Sequence, residues 1–136
     1  MSEPTRVLLV DDDKAIVRAC QLRLRAAGYQ TTVAYDGPSA LRIVRDAPPD
    51  VVVLDIRMPE MDGFEVLSRL QAEQATRSIP VIMLSANVAE RAKTQALTQG
   101  ARLFIEKPYR GEALVEALGQ VVAGRPAETA SSPQEG

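Results

Sequence analysis

Five polar side chains that follow apolar runs in this 136-residue chain could together handle a phosphoryl group. The carboxylates of Asp11, Asp12 and Asp55, if brought together, would repel one another unless a cation lay among them. Carboxylates without His or Cys suit a hard divalent ion such as Mg²⁺. Lys107 could pair with Asp55 or with a phosphoryl oxygen, and the Ser85 hydroxyl could donate to another oxygen. A metal, an ammonium and a hydroxyl held in place favour phosphoryl transfer, because its transition state carries spread negative charge.

Each of these residues also has an ordinary structural interpretation. The Asp-Asp-Asp sequence at residues 11–13 is typical of a helix cap and solvated turn, and Ser85 could cap a helix that follows it. Asp55 could be a turn residue, and Lys-Pro at residues 107–108 is common in loops. The hypothesis of a site therefore depends on their joint position at the ends of successive apolar runs.

The apolar runs lie at residues 7–10, 51–54, 81–84 and 103–105. Runs of about four apolar residues bounded by polar residues are typical of strands buried on both faces of a parallel sheet. If the sheet is parallel, the polar residues that end these runs lie at one edge. In open α/β sheets ligands bind at that carboxyl edge, at a topological switch point.

Helical spacing follows each strand, and a short β-type segment at 31–34 adds a fifth strand. The first helix is expected to have Asp13 as its N-cap and Gly28 as its C′ residue. The second helix is expected to begin at Pro38. The third helix is expected to be capped by Asp62, and the fourth to end at Gly100. The expected core-facing positions are Ile16, Cys20, Leu24 and Ala27; Leu41, Val44 and Ala47; Phe64, Leu67 and Leu70; Ala89, Ala92 and Ala96; and Leu114, Ala117, Leu118 and Val121. This alternation predicts an α/β fold of five (βα) units with helices on both faces of a parallel sheet.

The amino-acid composition excludes several kinds of function. Hydrophobic residues make up 46% and charged residues 25% of the chain, as in a globular protein. A net charge of −2 without a Lys/Arg cluster gives no reason to expect direct nucleic-acid binding. The absence of His excludes His-based catalysis and ordinary zinc sites, and the single Cys20 is read as a core residue rather than a disulfide partner.

The same features predict the organisation of the chain. We expect an N-terminal tail at residues 1–5, one domain at 6–123, and a flexible C-terminal tail or linker at 124–136, where large apolar residues are lacking. No signal peptide and no membrane-length apolar stretch are present, so a cytoplasmic location without membrane contact is expected.

From residue 6 to about residue 122 the chain resembles the receiver domain of bacterial two-component response regulators, which has the CheY-like, flavodoxin-like fold. The motifs that carry the resemblance are Val10-Asp11-Asp12, the pattern L-D-x-x-M-P-x-M-D-G at residues 54–63, Leu84-Ser85-Ala86 and Glu106-Lys107-Pro108. The resemblance implies a doubly wound sheet of five parallel strands in the order 2-1-3-4-5.

The resemblance also implies roles for individual residues. Asp55 corresponds to the phosphoacceptor, and Asp11, Asp12, Asp55 and the main-chain carbonyl of Arg57 to the ligands of Mg²⁺. Ser85 corresponds to the phosphate-sensing hydroxyl and Lys107 to the ion-pairing lysine. The other implied roles are a cis bond at Pro108, a switching aromatic at Phe104, which could equally be a core aromatic, and positions that tune the phosphoryl lifetime at Arg57 and Asn87.

By the same resemblance the domain is phosphorylated by a sensor histidine kinase or a phosphotransfer protein. It relays the signal, through its fourth helix, fifth strand and fifth helix, to a downstream effector protein or to an output domain removed from this chain. The resemblance further implies that the domain catalyses only its own phosphorylation and slow hydrolysis, and that it is a monomer or a phosphorylation-dependent dimer. Arg102-Leu103 stands where the OmpR-like subfamily has an acidic pair, which argues against that subfamily's charge-paired dimer.

Two other functions share parts of this pattern. Haloacid-dehalogenase-type phosphatases also form an aspartyl phosphate with Mg²⁺, but they need a second Asp two residues after the nucleophile, where this chain has Arg57. A phosphate-independent interaction domain on the same fold is the second alternative, and the presence of Asp55, Lys107 and the acidic pair argues against it.

Overall fold

A computed structural model describes residues 4–86, 95–107 and 111–122, with residues 85–86, 106–107 and 111–112 described by the main chain alone. The strands are β1 (Arg6–Val10), β2 (Gln30–Ala34), β3 (Val51–Asp55), β4 (Val81–Ala86) and β5 (Leu103–Lys107). The helices are α1 (Lys14–Ala26), α2 (Gly37–Asp46), α3 (Gly63–Ala72), the helical residues 95–98, labelled α4, and α5 (Gly111–Val122).

The five strands form one sheet in the order β2-β1-β3-β4-β5, and every neighbouring pair is parallel. The implied strand order is therefore confirmed. Because the order reverses between β1 and β3, their carboxyl ends lie at the topological switch point of the sheet.

Successive side chains of the central strands point to opposite faces of the sheet, and each face has its own buried cluster. On one face the strands pack against α2, α3 and α4; on the other they pack against α1 and α5. In β4, for example, Val81 and Met83 belong to the first cluster, whereas Ile82 and Leu84 belong to the second. Two-sided burial explains why β1, β3 and β4 are almost continuously apolar in sequence.

The predicted helix ends agree with the structure. The Asp13 carboxylate accepts hydrogen bonds from the main-chain N–H groups of Ala15 (3.0 Å) and Ile16 (3.1 Å). Asp62 accepts one from the N–H of Glu65 at 3.0 Å. Gly28 and Gly100 have φ values of +99° and +110°, the left-handed conformation that glycine supplies at a C′ position.

Two predictions of burial are wrong. Leu103 is buried, but Phe104 and Ile105 are only half-buried, because β5 is an edge strand paired on one side alone. Ala27 and Ala47, expected to face the core, are exposed because each lies at the C-cap, where the chain leaves its helix. Cys20 is buried, as expected.

Several predicted features lie outside the described residues. Ala89 and Ala92 are among them, whereas Ala96 is described and fully buried. Most of the proposed N-terminal tail and all of the 124–136 tail also lie outside, so these boundaries stay predictions. Within the part that the structure describes, no helix is both long enough and apolar enough to cross a membrane.

Candidate functional site

Three carboxylates meet at the carboxyl edge of the sheet. β1 and β3 are neighbours, with Val10 paired to Leu54, so Asp11 follows the end of one strand beside Asp55 at the end of the other. Asp11, Asp12 and Asp55 each offer a carboxylate oxygen within 4.8 Å of the others. Asp11 and Asp55 are each only 3% exposed, whereas Asp12 is open to solvent. The expected convergence of these three residues is therefore observed.

Main-chain hydrogen bonds position Asp11. Its N–H donates to the carbonyl of Ala34 at 3.2 Å, which continues the β1–β2 pairing by one residue. Its side-chain oxygen accepts from the N–H of Asp13 at 3.0 Å, and Asp13 in turn caps α1. The turn after β1 is thus built so that Asp11 faces Asp55 while Asp13 faces the helix.

Asp55 ends a strand in which every residue is buried. The next residue, Ile56, donates its N–H to the carbonyl of Leu84 at 2.9 Å and accepts from the N–H of Gly63 at 2.8 Å. These bonds fold the 57–62 loop back so that α3 begins against the end of β3. In that loop Glu60 has a φ of +71°, a left-handed conformation that a residue with a Cβ seldom adopts.

The main chain places Ser85 and Lys107 at the same edge. Asp55 is paired with Leu84, the residue before Ser85, and Lys107 is paired with Ala86. Their side chains, and the residues Asn87 and Pro108, lie outside the described part, so their roles stay predictions. The same holds for the Arg57 carbonyl as a metal ligand; the Arg57 side chain is exposed.

Phe104 is paired with Met83 on β4 and is partly buried against the cluster on the α2, α3 and α4 side. A half-buried aromatic ring is compatible both with a switching aromatic and with a core aromatic. Its role as a switch stays a prediction.

Two features at this edge were not predicted from the sequence. Asp36 is the N-cap of α2, and its carboxylate accepts from the N–H of Ser39 at 2.8 Å. That hydrogen bond lowers the pKa of Asp36 below its usual value. A hydrogen bond from the Ser39 hydroxyl and the positive charge of Arg42 lower it further. The sequence signal was present, since Asp stands two residues before Pro38. The second feature is a contact between Lys14 and Tyr35, for which the sequence had no signal.

The residues fit a magnesium site. The three grouped donors are all carboxylates, and oxygen-only ligands match a hard cation that keeps part of its water shell. Two of the carboxylates are buried and would repel each other without a compensating positive charge. The exposure of Asp12 leaves the group open to water on one side.

Comparison with known proteins identifies this arrangement. The sequence model of the response regulator receiver domain matches residues 7–119. The chain belongs to this family. Relatives of the receiver domain include the response regulator PleD of Caulobacter vibrioides, 41% identical over 103 residues, which are 76% of this chain and 23% of PleD. The transcriptional regulatory protein KdpE of Mycobacterium tuberculosis is 42% identical over 105 residues, 77% of this chain and 45% of KdpE.

Solved structures agree with this assignment. A putative response regulator from Chloroflexus aurantiacus superposes with a TM-score of 0.85 at 30% identity, over 89% of this chain and 99% of that one. The chemotaxis protein CheY4 of Vibrio cholerae gives a TM-score of 0.82 at 31% identity, over 87% and 98% of the two chains. This receiver domain thus spans nearly all of these solved chains but less than half of PleD or KdpE.

Proposed function

We propose that this receiver domain is a switch that accepts a phosphoryl group on Asp55 from a histidine kinase or a phosphotransfer protein. The observation that carries the proposal is the grouping of Asp11, Asp12 and Asp55 within 4.8 Å at the carboxyl edge of the sheet. Asp55 is the member of this group that lies within a strand, where it is paired with Leu84 of β4, and the main chain of the next residue, Ile56, is hydrogen-bonded to Leu84 and Gly63.

In the transfer, the Asp55 carboxylate is the group of this chain that forms a covalent bond. One carboxylate oxygen of Asp55 attacks the phosphorus of a phosphohistidine, the P–N bond breaks, and the leaving imidazole nitrogen keeps the electron pair and takes up a proton. In hydrolysis a water oxygen attacks the phosphorus and the P–O bond to Asp55 breaks. The Asp55 carboxylate keeps the electron pair of that bond, and the water protons leave with inorganic phosphate or pass to solvent. Asp11, Asp12, Asp55 and the Arg57 carbonyl would hold Mg²⁺, which would supply positive charge to offset the negative charge of the transferring group.

Other residues respond to the new charge. We assign Lys107 as the cation that pairs with Asp55 and then with a phosphoryl oxygen, and Ser85 as the hydroxyl that donates to another oxygen. Phe104 and the surface formed by α4, β5 and α5 are the proposed output, read by an effector protein or by an output domain. On this proposal the chain acts on no substrate other than its own phosphoryl group.

The test is labelling with acetyl phosphate, followed by intact-mass measurement with and without Mg²⁺. We expect one added phosphoryl group in the parent chain with Mg²⁺, and none in Asp55→Asn. Asp46→Asn, which removes an exposed carboxylate on α2, is the matched control and should be labelled like the parent. Equal labelling of Asp55→Asn would disprove the assignment, and a parent chain that is never labelled would favour the phosphate-independent alternative.

A further inference from the structure

A lysine stands over an aromatic ring beside the carboxylate group. Lys14 is the first residue of α1, and its ammonium nitrogen lies 5.3 Å from the centre of the Tyr35 ring. A cation within about 6 Å of a ring centre is attracted by the ring's negative face. Both side chains are exposed. The contact therefore gives a surface ammonium group a preferred position without removing it from solvent.

Helix stability gives no reason for a cation at this position. The peptide dipoles make the N-terminal end of a helix positive, so acidic residues are favourable there and cations are not. α3 follows this rule with Glu65 in its first turn and α1 follows it with its N-cap Asp13, but the first helical residue of α1 is the cation Lys14. Departures from such local rules are concentrated at functional sites.

The contact lies at the same edge of the sheet as the carboxylate group. Tyr35 directly follows Ala34, whose carbonyl accepts the N–H of Asp11, and Lys14 comes two residues after Asp12. Lys14 and Tyr35 thus connect the turn after β1 to the turn after β2. Both turns lie at the carboxyl edge of the sheet, where Asp55 ends β3.

We propose that Lys14, held in place by Tyr35, attracts the anionic phosphodonor to Asp55 and is a positioning residue of the phosphorylation reaction. The inference rests on the proposed function. A phosphodonor brings negative charge toward three carboxylates, and that repulsion is reduced by each cation near them. Lys107 is assigned to the acceptor and to the phosphoryl group after transfer, whereas Lys14 acts on the donor before transfer.

The experiment measures the initial labelling rate against acetyl phosphate concentration at saturating Mg²⁺. In Lys14→Met the concentration that gives half-maximal rate should rise about three- to tenfold, with the maximal rate within about twofold of the parent, because a lost surface charge weakens attraction and not chemistry. Lys14→Arg should restore the parent value, since arginine also stacks on aromatic rings. Tyr35→Leu should give a smaller rise because the ammonium loses its preferred position.

A separate equilibrium measurement distinguishes attraction from general damage. Removing a positive charge near the carboxylates should tighten Mg²⁺ binding in Lys14→Met, in the opposite direction to the effect on acetyl phosphate. Misfolding or loss of the site would weaken both. The difference between Lys14→Met and the parent in half-saturating concentration should also shrink as ionic strength rises.

Arg25→Met is the matched control. It removes one positive charge from the same helix, but roughly 16 Å further along the helix axis. That separation exceeds the Debye length of about 8–10 Å at physiological ionic strength, so salt largely screens the effect of this charge on the site. It should leave the half-saturating concentration unchanged. If Lys14→Met also leaves it unchanged while the parent is labelled, the inference is wrong and the proposed function stands. If the parent is not labelled at all, the proposed function fails and this inference fails with it.

Discussion

Gly63, the first residue of α3, lies directly against the main chain of Asp55. A Cβ placed on Gly63 would be 2.5 Å from the Asp55 carbonyl oxygen and 2.8 Å from the Cα of Ile56. Both neighbours are main-chain atoms at the buried end of β3, so neither can rotate away. The start of α3 and the position of Asp55 are therefore set by one contact that only glycine permits.

Gly63→Ala should destabilise the domain by about 1–3 kcal/mol, the usual cost of forcing an extra methyl group into a packed site. Because the methyl group meets main-chain atoms of Asp55 and Ile56, it should also displace the Asp55 carboxylate and slow its labelling. Urea denaturation measures the first effect and acetyl phosphate labelling the second.

Gly119→Ala is the control for this prediction. Gly119 lies in α5 with nothing within 4 Å of an added Cβ, so alanine should stabilise the helix by about 0.5–1 kcal/mol. Labelling should be unchanged in this variant. A Gly63→Ala protein as stable as the parent would show that α3 can move away from β3 without cost.

The N-cap of α2 should make stability depend on acid pH. Hydrogen bonding from the Ser39 N–H lowers the pKa of Asp36 below 3.8 in the folded state. A folded-state pKa below the unfolded one means that the carboxylate's contribution is complete above pH 3.8 and is lost as the pH falls through the lower folded value. Asp36→Asn keeps a capping side chain but cannot titrate.

The stability difference between the parent and Asp36→Asn should therefore shift in favour of the variant as the pH is lowered below 3.8. Urea unfolding at a series of pH values measures this difference. Asp46→Asn, also on α2, is the control, since Asp46 accepts no hydrogen bond in the part of the chain that the structure describes. The same pH dependence in both variants would contradict the role given to the cap.

Magnesium binding should need Asp12. Asp12→Ala removes one of the three grouped carboxylates, and we expect Mg²⁺ affinity to fall roughly tenfold or more because a unit charge close to the ion is lost. Calorimetric titration measures the affinity. Asp13→Ala is the control: it removes the adjacent carboxylate, which caps α1 and is not among the three grouped carboxylates. It should lower stability by about 1 kcal/mol and weaken Mg²⁺ binding far less than Asp12→Ala does.

Beryllofluoride, which stands in for the phosphoryl group, should move the output surface more than α1. Resonances of residues 88–100, of which 88–94 lie outside the described part, and of Phe104 should shift more than those of residues 14–27. The physical reason is that Phe104 is only partly buried, so a second ring position costs little burial. Amide spectra with and without beryllofluoride measure the shifts. Larger distant shifts in α1 would place the output face elsewhere.

Local chemistry in the sequence was enough to predict most elements of this fold. Strands buried on both faces appear as continuous apolar runs, and the ends of helices need particular residues, such as Asp13 and Asp62 as N-caps and Gly28 and Gly100 in left-handed conformations. The fold class follows because strands that alternate with helices leave few topologies. The convergence of Asp11, Asp12 and Asp55 follows in turn, since parallel strands end at one edge.

Tertiary structure decided what depends on neighbours distant in sequence. Phe104 lies in an apolar run, yet it is half-buried because β5 has a neighbour on one side only. The contact of Gly63 with Asp55 depends on how the loop between them folds back, and that of Lys14 with Tyr35 on the pairing of β1 with β2. The burial of Phe104 and these two contacts all depend on how separate elements lie relative to one another. The periodicity of a single element contains no information about that arrangement.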